Sequence, residues 1–203
     1  MKGLYLVTPD WDDTQKMLEA TEAGLRGGAA IVQYRHKTAS PELRREQASQ
    51  LQALCRRYGR PFIVNDFVEL AIELDADGIH VGGTDAAVAQ VRAAVGPSKI
   101  VGSSCYGSMQ LARDAYAAGA SYVAFGGFYP SRVKKYEVTT PPEIVAQAKR
   151  EIPVPNVVIG GMTQENSVPL VKQGADMVAV ISSVYMVDDP EAAARAFAKL
   201  FTA

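Results

Sequence analysis

Eight short runs of apolar, β-branched or aromatic residues recur along the chain, each followed by a stretch of helical periodicity and a glycine-bearing turn. No other feature narrows the fold so far. Strands are predicted at 3–8, 30–35, 62–65, 78–82, 99–103, 122–126, 156–160 and 177–181, and helices near 12–26, 41–57, 67–74, 85–95, 108–118, 141–150, 164–173 and 189–201. Ser40-Pro41 and Thr140-Pro141 read as an N-cap followed by proline in the first helical turn, while Gly27, Gly59, Gly119 and Gly174 stand where helices should stop. Strict β/α alternation demands a parallel sheet, and eight units in 203 residues predict a closed (β/α)8 TIM barrel, a single domain over 1–203, at the short end of its size range. An open doubly wound sheet is the alternative. Against it, no GxGxxG follows the first strand, whereas Gly-rich turns follow the seventh and eighth positions, where barrels often bind phosphate.

Composition sets limits on partners. With 48% hydrophobic and 21% charged residues the chain is of ordinary globular type, and 21 basic against 22 acidic residues leave a net charge of -1. Neither a general nucleic-acid surface nor an anionic-membrane surface is expected, so any anion site must be local. Cys55 and Cys105 form no CxxC or His/Cys cluster, which argues against a disulfide scaffold or structural zinc and predicts a reduced, cytoplasmic setting. The first residues show no signal-peptide pattern, and no apolar run approaches the roughly 18 residues of a membrane span. Small-molecule substrates are the expected partners; the sequence leaves a homo-oligomer open.

In such a barrel the chemistry gathers at the carboxyl ends of the strands. Gln33, Arg35 and Lys37 alternate at the end of strand 2, so all three share one face and converge on an anion. Strand 3 ends in Asn65-Asp66, Asp85 follows strand 4, strand 5 ends in Ser103-Ser104, and the long loop after strand 6 carries Lys134 and Lys135. Strand 7 ends in Gly160-Gly161 and strand 8 in Ile181-Ser182-Ser183, turns whose backbone N–H groups suit a phosphate monoester. Asp66 and Asp85 are hard oxygen donors of the kind Mg²⁺ shares with substrate phosphates, although each alone could equally cap the helix that follows it. Beside the Gln33/Arg35/Lys37 face they describe a Mg-pyrophosphate cradle. His80 is read as a satisfied structural histidine, His36 alternates away from Arg35, and Cys105 lacks a histidine partner, so none is assigned as base or nucleophile.

On these residues the chain resembles the thiamine phosphate synthase family, nearly from end to end. The resemblance is carried by Leu4-Tyr-Leu-Val-Thr8, Gln33-Tyr-Arg-His-Lys37, Asn65-Asp66, Ala76-Asp-Gly-Ile-His-Val-Gly82 with Asp85, Gly102-Ser-Ser104, Lys134, Ile159-Gly-Gly161 and Val180-Ile-Ser182. It implies transfer of hydroxymethylpyrimidine from its diphosphate to thiazole phosphate, giving thiamine phosphate and pyrophosphate, with Mg²⁺ as cofactor. It assigns Gln33, Arg35, Lys37, Asn65, Ser104 and Lys134 to the pyrimidine diphosphate, within a binding segment that includes Tyr34 and His36. Arg35, Lys37 and Lys134 carry the catalytic charge, Asp66 and Asp85 hold the metal, and Ser131, Arg132, Val133, Gly161, Ile181 and Ser182 hold the thiazole phosphate. The usual Thr-x-Thr-Lys phrase of the strand 6 loop reads Ser131-Arg-Val-Lys134 here, which loses one hydroxyl; Gly83 stands for a common glutamine and Gly127 for a frequent proline. The competing functions are a thiazole tautomerase, which needs a general acid/base and no diphosphate cradle, and a non-catalytic sensor of thiamine precursors.

Overall fold

Side chains of a strand alternate between two faces, and a parallel sheet covered by helices buries both, so each strand here is an almost uninterrupted apolar run. The computed structural model describes residues 1–82, 85–130 and 140–202, with the side chains of all of these except Asp85 and Ala86. Eight strands, β1 (Gly3–Val7), β2 (Ile31–Tyr34), β3 (Phe62–Asn65), β4 (Gly78–Val81), β5 (Ile100–Tyr106), β6 (Tyr122–Gly126), β7 (Asn156–Ile159) and β8 (Met177–Val180), pair in parallel in chain order. β8 returns to β1 through the register Gly3↔Met177 to Leu6↔Val180 and closes the barrel. The helices are α1 (Thr14–Arg26), α2 (Pro41–Arg57), α3 (Val68–Glu73), α4 (Asp85–Val95), α5 (Met109–Ala117), α6 (Glu143–Glu151), α7 (Gln164–Lys172), α8 (Ser182–Tyr185) and α9 (Pro190–Ala198). This is the (β/α)8 TIM barrel expected from the alternation. No helix among the described residues is long and apolar enough to cross a membrane.

Two cores follow from the strand period. Tyr5, Val7, Ile31, Ile63, Tyr122, Ala124, Val157, Met177 and Ala179 fill the barrel. Their neighbours Leu4, Leu6, Val32, Tyr34, Val64, Val123 and Val178 face outward against Met17, Leu51, Val88 and Val145 of the helices. Full burial of an aliphatic side chain of this size contributes about 1.5–3 kcal/mol, so the shell between sheet and helices is the main source of stability. Space inside the barrel is shared with care. A Cβ at Gly102 would stand 2.0 Å from Tyr122 Cζ, so glycine on β5 is what admits the tyrosine from β6.

Several boundaries depart from the sequence reading. Ser40 caps α2 as expected, accepting from Leu43 N at 3.2 Å ahead of Pro41. Thr140 does not cap α6: the helix starts at Glu143, and the Thr140 hydroxyl donates to Gly126 O instead. The reason is the second proline, since Pro142 keeps Pro141 out of the helical region. β5 runs on to Tyr106 through a register shift after Ser104, with Tyr106 at φ 51. The last helix stops at Ala198 and ends in a 3-10 turn, Lys199–Phe201. The four-residue α8, directly after β8, is an element the periodicity does not announce.

Candidate active site

The end of β2 is built to hold charge. Thr8, just beyond β1, clamps the Arg35 backbone: its hydroxyl accepts from Arg35 N at 2.8 Å and donates to Arg35 O at 3.0 Å. The Arg35 side chain is only 10% exposed and donates through Nη1 to Asp10 Oδ1 and Oδ2 at 3.1 and 3.2 Å. Asp10 Oδ1 also accepts from Lys37 N at 3.1 Å, so one carboxylate sets both cationic residues. Arginine carries five N–H donors, and those of Nε and Nη2 are not used on Asp10. Lys37 Nζ lies 3.8 Å from Asp66 Oδ2, with both side chains about half exposed. An ion pair of that kind is worth at most about 1 kcal/mol and opens readily for a ligand.

Asp66 is not a helix cap. Phe67 occupies the N-cap position of α3 without a side-chain bond, while the Asp66 carboxylate accepts from Asn65 Nδ2 at 2.8 Å. Its backbone stands at φ 64, in the left-handed region that Asp and Asn tolerate better than most residues. The carboxylate is thereby free of any capping duty and lies near Lys37.

Across the barrel, Gly160 and Gly161 adopt φ 108 and 63 at the end of β7. A Cβ at Gly161 would come within 2.3 Å of Pro130 O, so the turn lies directly against the start of the loop after β6. Asn166 Nδ2 donates to Gly161 O at 2.9 Å and Asn166 forms a capping box with Thr163, fixing the turn to the start of α7. Ile181 and Ser182 begin α8, where first-turn N–H groups have no partner within the helix.

Gln33, Arg35, Lys37, Asn65, Asp66, Ser104, Gly161, Ile181 and Ser182 thus all stand at the carboxyl ends of their strands or just beyond, at one mouth of the barrel. Tyr34 and His36 turn the other way. Tyr34 Oη donates to Gln47 Oε1 at 2.9 Å, and His36 Nε2 lies 2.9 Å from Asp12 Oδ1 with its side chain 1% exposed. They anchor the strand end from behind. Ser131, Arg132, Val133, Lys134 and the Asp85 side chain lie outside the described residues. Cys105 is buried, and desolvation pushes its thiol up to about 12, in keeping with an inert role.

His80 is satisfied, as expected, but its partners tie it to the site: Nδ1 lies 2.8 Å from Tyr122 Oη and Nε2 lies 2.9 Å from Ser104 Oγ. Tyr5, Tyr122, Thr8 and Asp10 are site-supporting residues that the sequence reading overlooks. The period-two rule does turn Tyr5, His80 and Tyr122 inward, which is the signal that could have marked them. Asp10 carries none, being a loop residue 25 positions from Arg35.

The family model described as thiamine monophosphate synthase matches residues 4–184. The chain belongs to the thiamine monophosphate synthase family. It is 66% identical over 99% of its length to the thiamine-phosphate synthase of Janthinobacterium sp. (strain Marseille), covering 97% of that protein. It is 47% identical to the thiamine-phosphate synthase of Thiobacillus denitrificans, with 99% and 95% of the two chains covered. The solved thiamine phosphate pyrophosphorylase from Pyrococcus furiosus superposes with a TM-score of 0.84 at 30% identity, covering 98% of this chain and 94% of that one. A 3-hexulose-6-phosphate synthase, with a TM-score of 0.71 at 20% identity, shares the fold alone. As a member of the thiamine monophosphate synthase family, the chain is a transferase of thiamine biosynthesis.

Proposed function

We propose that this member of the thiamine monophosphate synthase family transfers hydroxymethylpyrimidine from its diphosphate to thiazole phosphate, releasing pyrophosphate, and does so with Mg²⁺. The observation that carries this reading is the shared rim of β2 and β3, where a buried, clamped Arg35, an exposed Lys37 and the uncapped Asp66 carboxylate meet. Gln33, Asn65 and Ser104 hold the pyrimidine with Arg35, Lys37 and Lys134 on the diphosphate. Ser131, Arg132, Val133, Gly161, Ile181 and Ser182 take the thiazole phosphate. The two free, buried cysteines fit a reducing, cytoplasmic setting.

The donor set at β3 suits magnesium. Asp66 offers a hard oxygen with half its side chain in solvent, and no group of three or more His, Cys, Asp or Glu side chains is found among the described residues. Magnesium asks for no more than one or two carboxylates, completing its shell with water and phosphate oxygens. Asp66 and Asp85 would hold the ion, which when bound supplies Lewis-acid neutralisation of the diphosphate.

In the reaction, the C–O bond between the pyrimidine methylene and the diphosphate breaks, and the thiazole nitrogen supplies the electron pair of the new C–N bond. Negative charge grows on the leaving group and positive charge spreads into the pyrimidine ring. Such a reaction requires fixed cations rather than a base or a protein nucleophile. A cation about 4 Å from a phosphate oxygen contributes on the order of 4 kcal/mol at an effective dielectric near 20, before desolvation is subtracted. The Thr8 clamp and the Asp10 contact hold Arg35 in place before substrate arrives, so little reorganisation accompanies the charge transfer. The test is pyrophosphate release by purified protein. Release only with both substrates and Mg²⁺ supports the proposal; ligand binding without release would identify a sensor, and isomerisation of thiazole phosphate alone a tautomerase.

A further inference from the structure

Five polar side chains, each from a different strand, form a continuous hydrogen-bonded line through the barrel. Gln33 Nε2 donates to Tyr5 Oη at 2.8 Å, and Tyr5 Oη lies 2.7 Å from Tyr122 Oη. Tyr122 Oη is 2.8 Å from His80 Nδ1, and His80 Nε2 is 2.9 Å from Ser104 Oγ. Tyr5 and Tyr122 are buried, and the His80 ring stacks on Tyr122 at 5.6 Å between centroids and 20° between planes. Burial pushes both phenols far above the usual tyrosine range, so each keeps its proton. A buried hydroxyl proton without an acceptor is costly, and each must therefore be donated.

The protons can then be placed one by one. Tyr5 Oη accepts from Gln33, so its own proton goes to Tyr122. The Tyr122 proton goes on to His80 Nδ1. His80 accordingly carries its hydrogen on Nε2 and donates it to Ser104, whose hydroxyl proton is left for a group at the barrel mouth. Gln33, with its amide nitrogen committed to Tyr5, is left with Oε1 as an acceptor.

If Gln33 turned its amide, Oε1 would accept from Tyr5 and every bond downstream would reverse. Ser104 would then donate inward to His80, and its outward proton would be lost. The two ends of the line are coupled, although they stand on different strands of the barrel.

We propose that Tyr5, Tyr122 and His80 are positioning residues that fix the hydrogen-bonding sense of Gln33 and Ser104, so that the site takes an aminopyrimidine in preference to its oxo analogue. An exocyclic amino group donates to Gln33 Oε1 while a ring nitrogen accepts from Ser104. A carbonyl in place of the amino group demands the turned amide and forfeits the Ser104 donation. The inference rests on the proposed role of Gln33 and Ser104 in holding the pyrimidine.

The test compares kcat/KM for the 4-amino and 4-oxo pyrimidine diphosphates in the wild type, Tyr5→Phe, Tyr122→Phe and Gln33→Ala. Tyr5→Phe removes the Tyr5 relay and leaves only the direct contact of Gln33 with Tyr122, so it weakens the coupling and should lower the amino preference by up to about tenfold, the scale of one neutral hydrogen bond. Tyr122→Phe should lower it further, because the Tyr5 proton is then driven back onto Gln33 Oε1. Unchanged preference in both variants, with pyrimidine affinity lost in Gln33→Ala, overturns the coupling and leaves the site assignment standing. Unaltered pyrimidine kinetics in Gln33→Ala overturns the assignment itself, and the proposal with it. A second readout needs no variant. ¹⁵N NMR of the two histidines should show His80 with Nε2 protonated and Nδ1 bare, and a proton on Nδ1 contradicts the proposal.

Discussion

Replacing Gly161 with alanine tests the assignment of the second substrate. Gly161 stands at φ 63, a region that costs a non-glycine residue about 1–2 kcal/mol. Its new Cβ would lie 2.3 Å from Pro130 O and 2.8 Å from Tyr129 O, where real contacts begin near 3.0 Å, so two backbone carbonyls must retreat. Overpacking of this sort adds about 1–3 kcal/mol. A total of roughly 2–5 kcal/mol, at 2–4 °C per kcal/mol for a chain of this length, lowers Tm by about 4–20 °C. The displacement falls on the β7 turn and the start of the loop after β6, away from the β2 and β3 rim. Initial rates with each substrate varied against the other at saturation should therefore show the thiazole phosphate KM rising by up to about 10²-fold, the scale of an ångström-sized misplacement. The pyrimidine diphosphate KM should rise far less, since of its proposed contacts only Lys134 lies on the displaced loop and those on β2, β3 and β5 are untouched. A folded variant whose thiazole phosphate KM is unchanged, or rises no more than the pyrimidine diphosphate KM, refutes the assignment.

Asp66→Asn should fold normally, because asparagine accepts the left-handed backbone at φ 64, yet need on the order of tenfold more Mg²⁺ for half-maximal activity; an unaltered Mg²⁺ titration removes Asp66 from the metal site. Cys55 and Cys105 are buried, with thiols pushed up to about 12 by desolvation, so iodoacetamide at pH 8 should modify neither in the native protein and both in denaturant. Mass spectrometry of the native reaction decides this, and stoichiometric labelling contradicts it. Gly102→Ala should be strongly destabilising, because its Cβ would stand 2.0 Å from Tyr122 Cζ inside a closed barrel; a thermal melt within about 2 °C of wild type would show that Tyr122 is free to move.

The barrel was legible because its determinants are local. β3 and β6 occupy the predicted residues, and α2 and α4 do too, since periodicity, caps and glycine stops all act within one element. The α6 start was misplaced where two adjacent prolines overrode a plausible threonine cap. The β2 face of Gln33, Arg35 and Lys37 and the Asn65-Asp66 turn could be read from strand period and strand ends alone. The parts that support them could not. Tyr5 and Tyr122 meet across 117 residues and His80 meets Tyr122 across 42, and only barrel closure brings them together. Asp10 is similar: its value lies in reaching Arg35 from another loop, and no neighbour in sequence hints at that.

The most direct test of leaving-group stabilisation is a single-turnover measurement of pyrophosphate release by the wild type and Arg35→Ala, both substrates and Mg²⁺ saturating. A cation that acts mainly on the charge developing during bond cleavage predicts a rate at saturation lowered by about 10²–10³-fold, with binding of the intact diphosphate weakened less and the circular dichroism spectrum unchanged. A rate at saturation equal to that of the wild type, with only KM raised, would show that Arg35 binds the diphosphate without helping it leave.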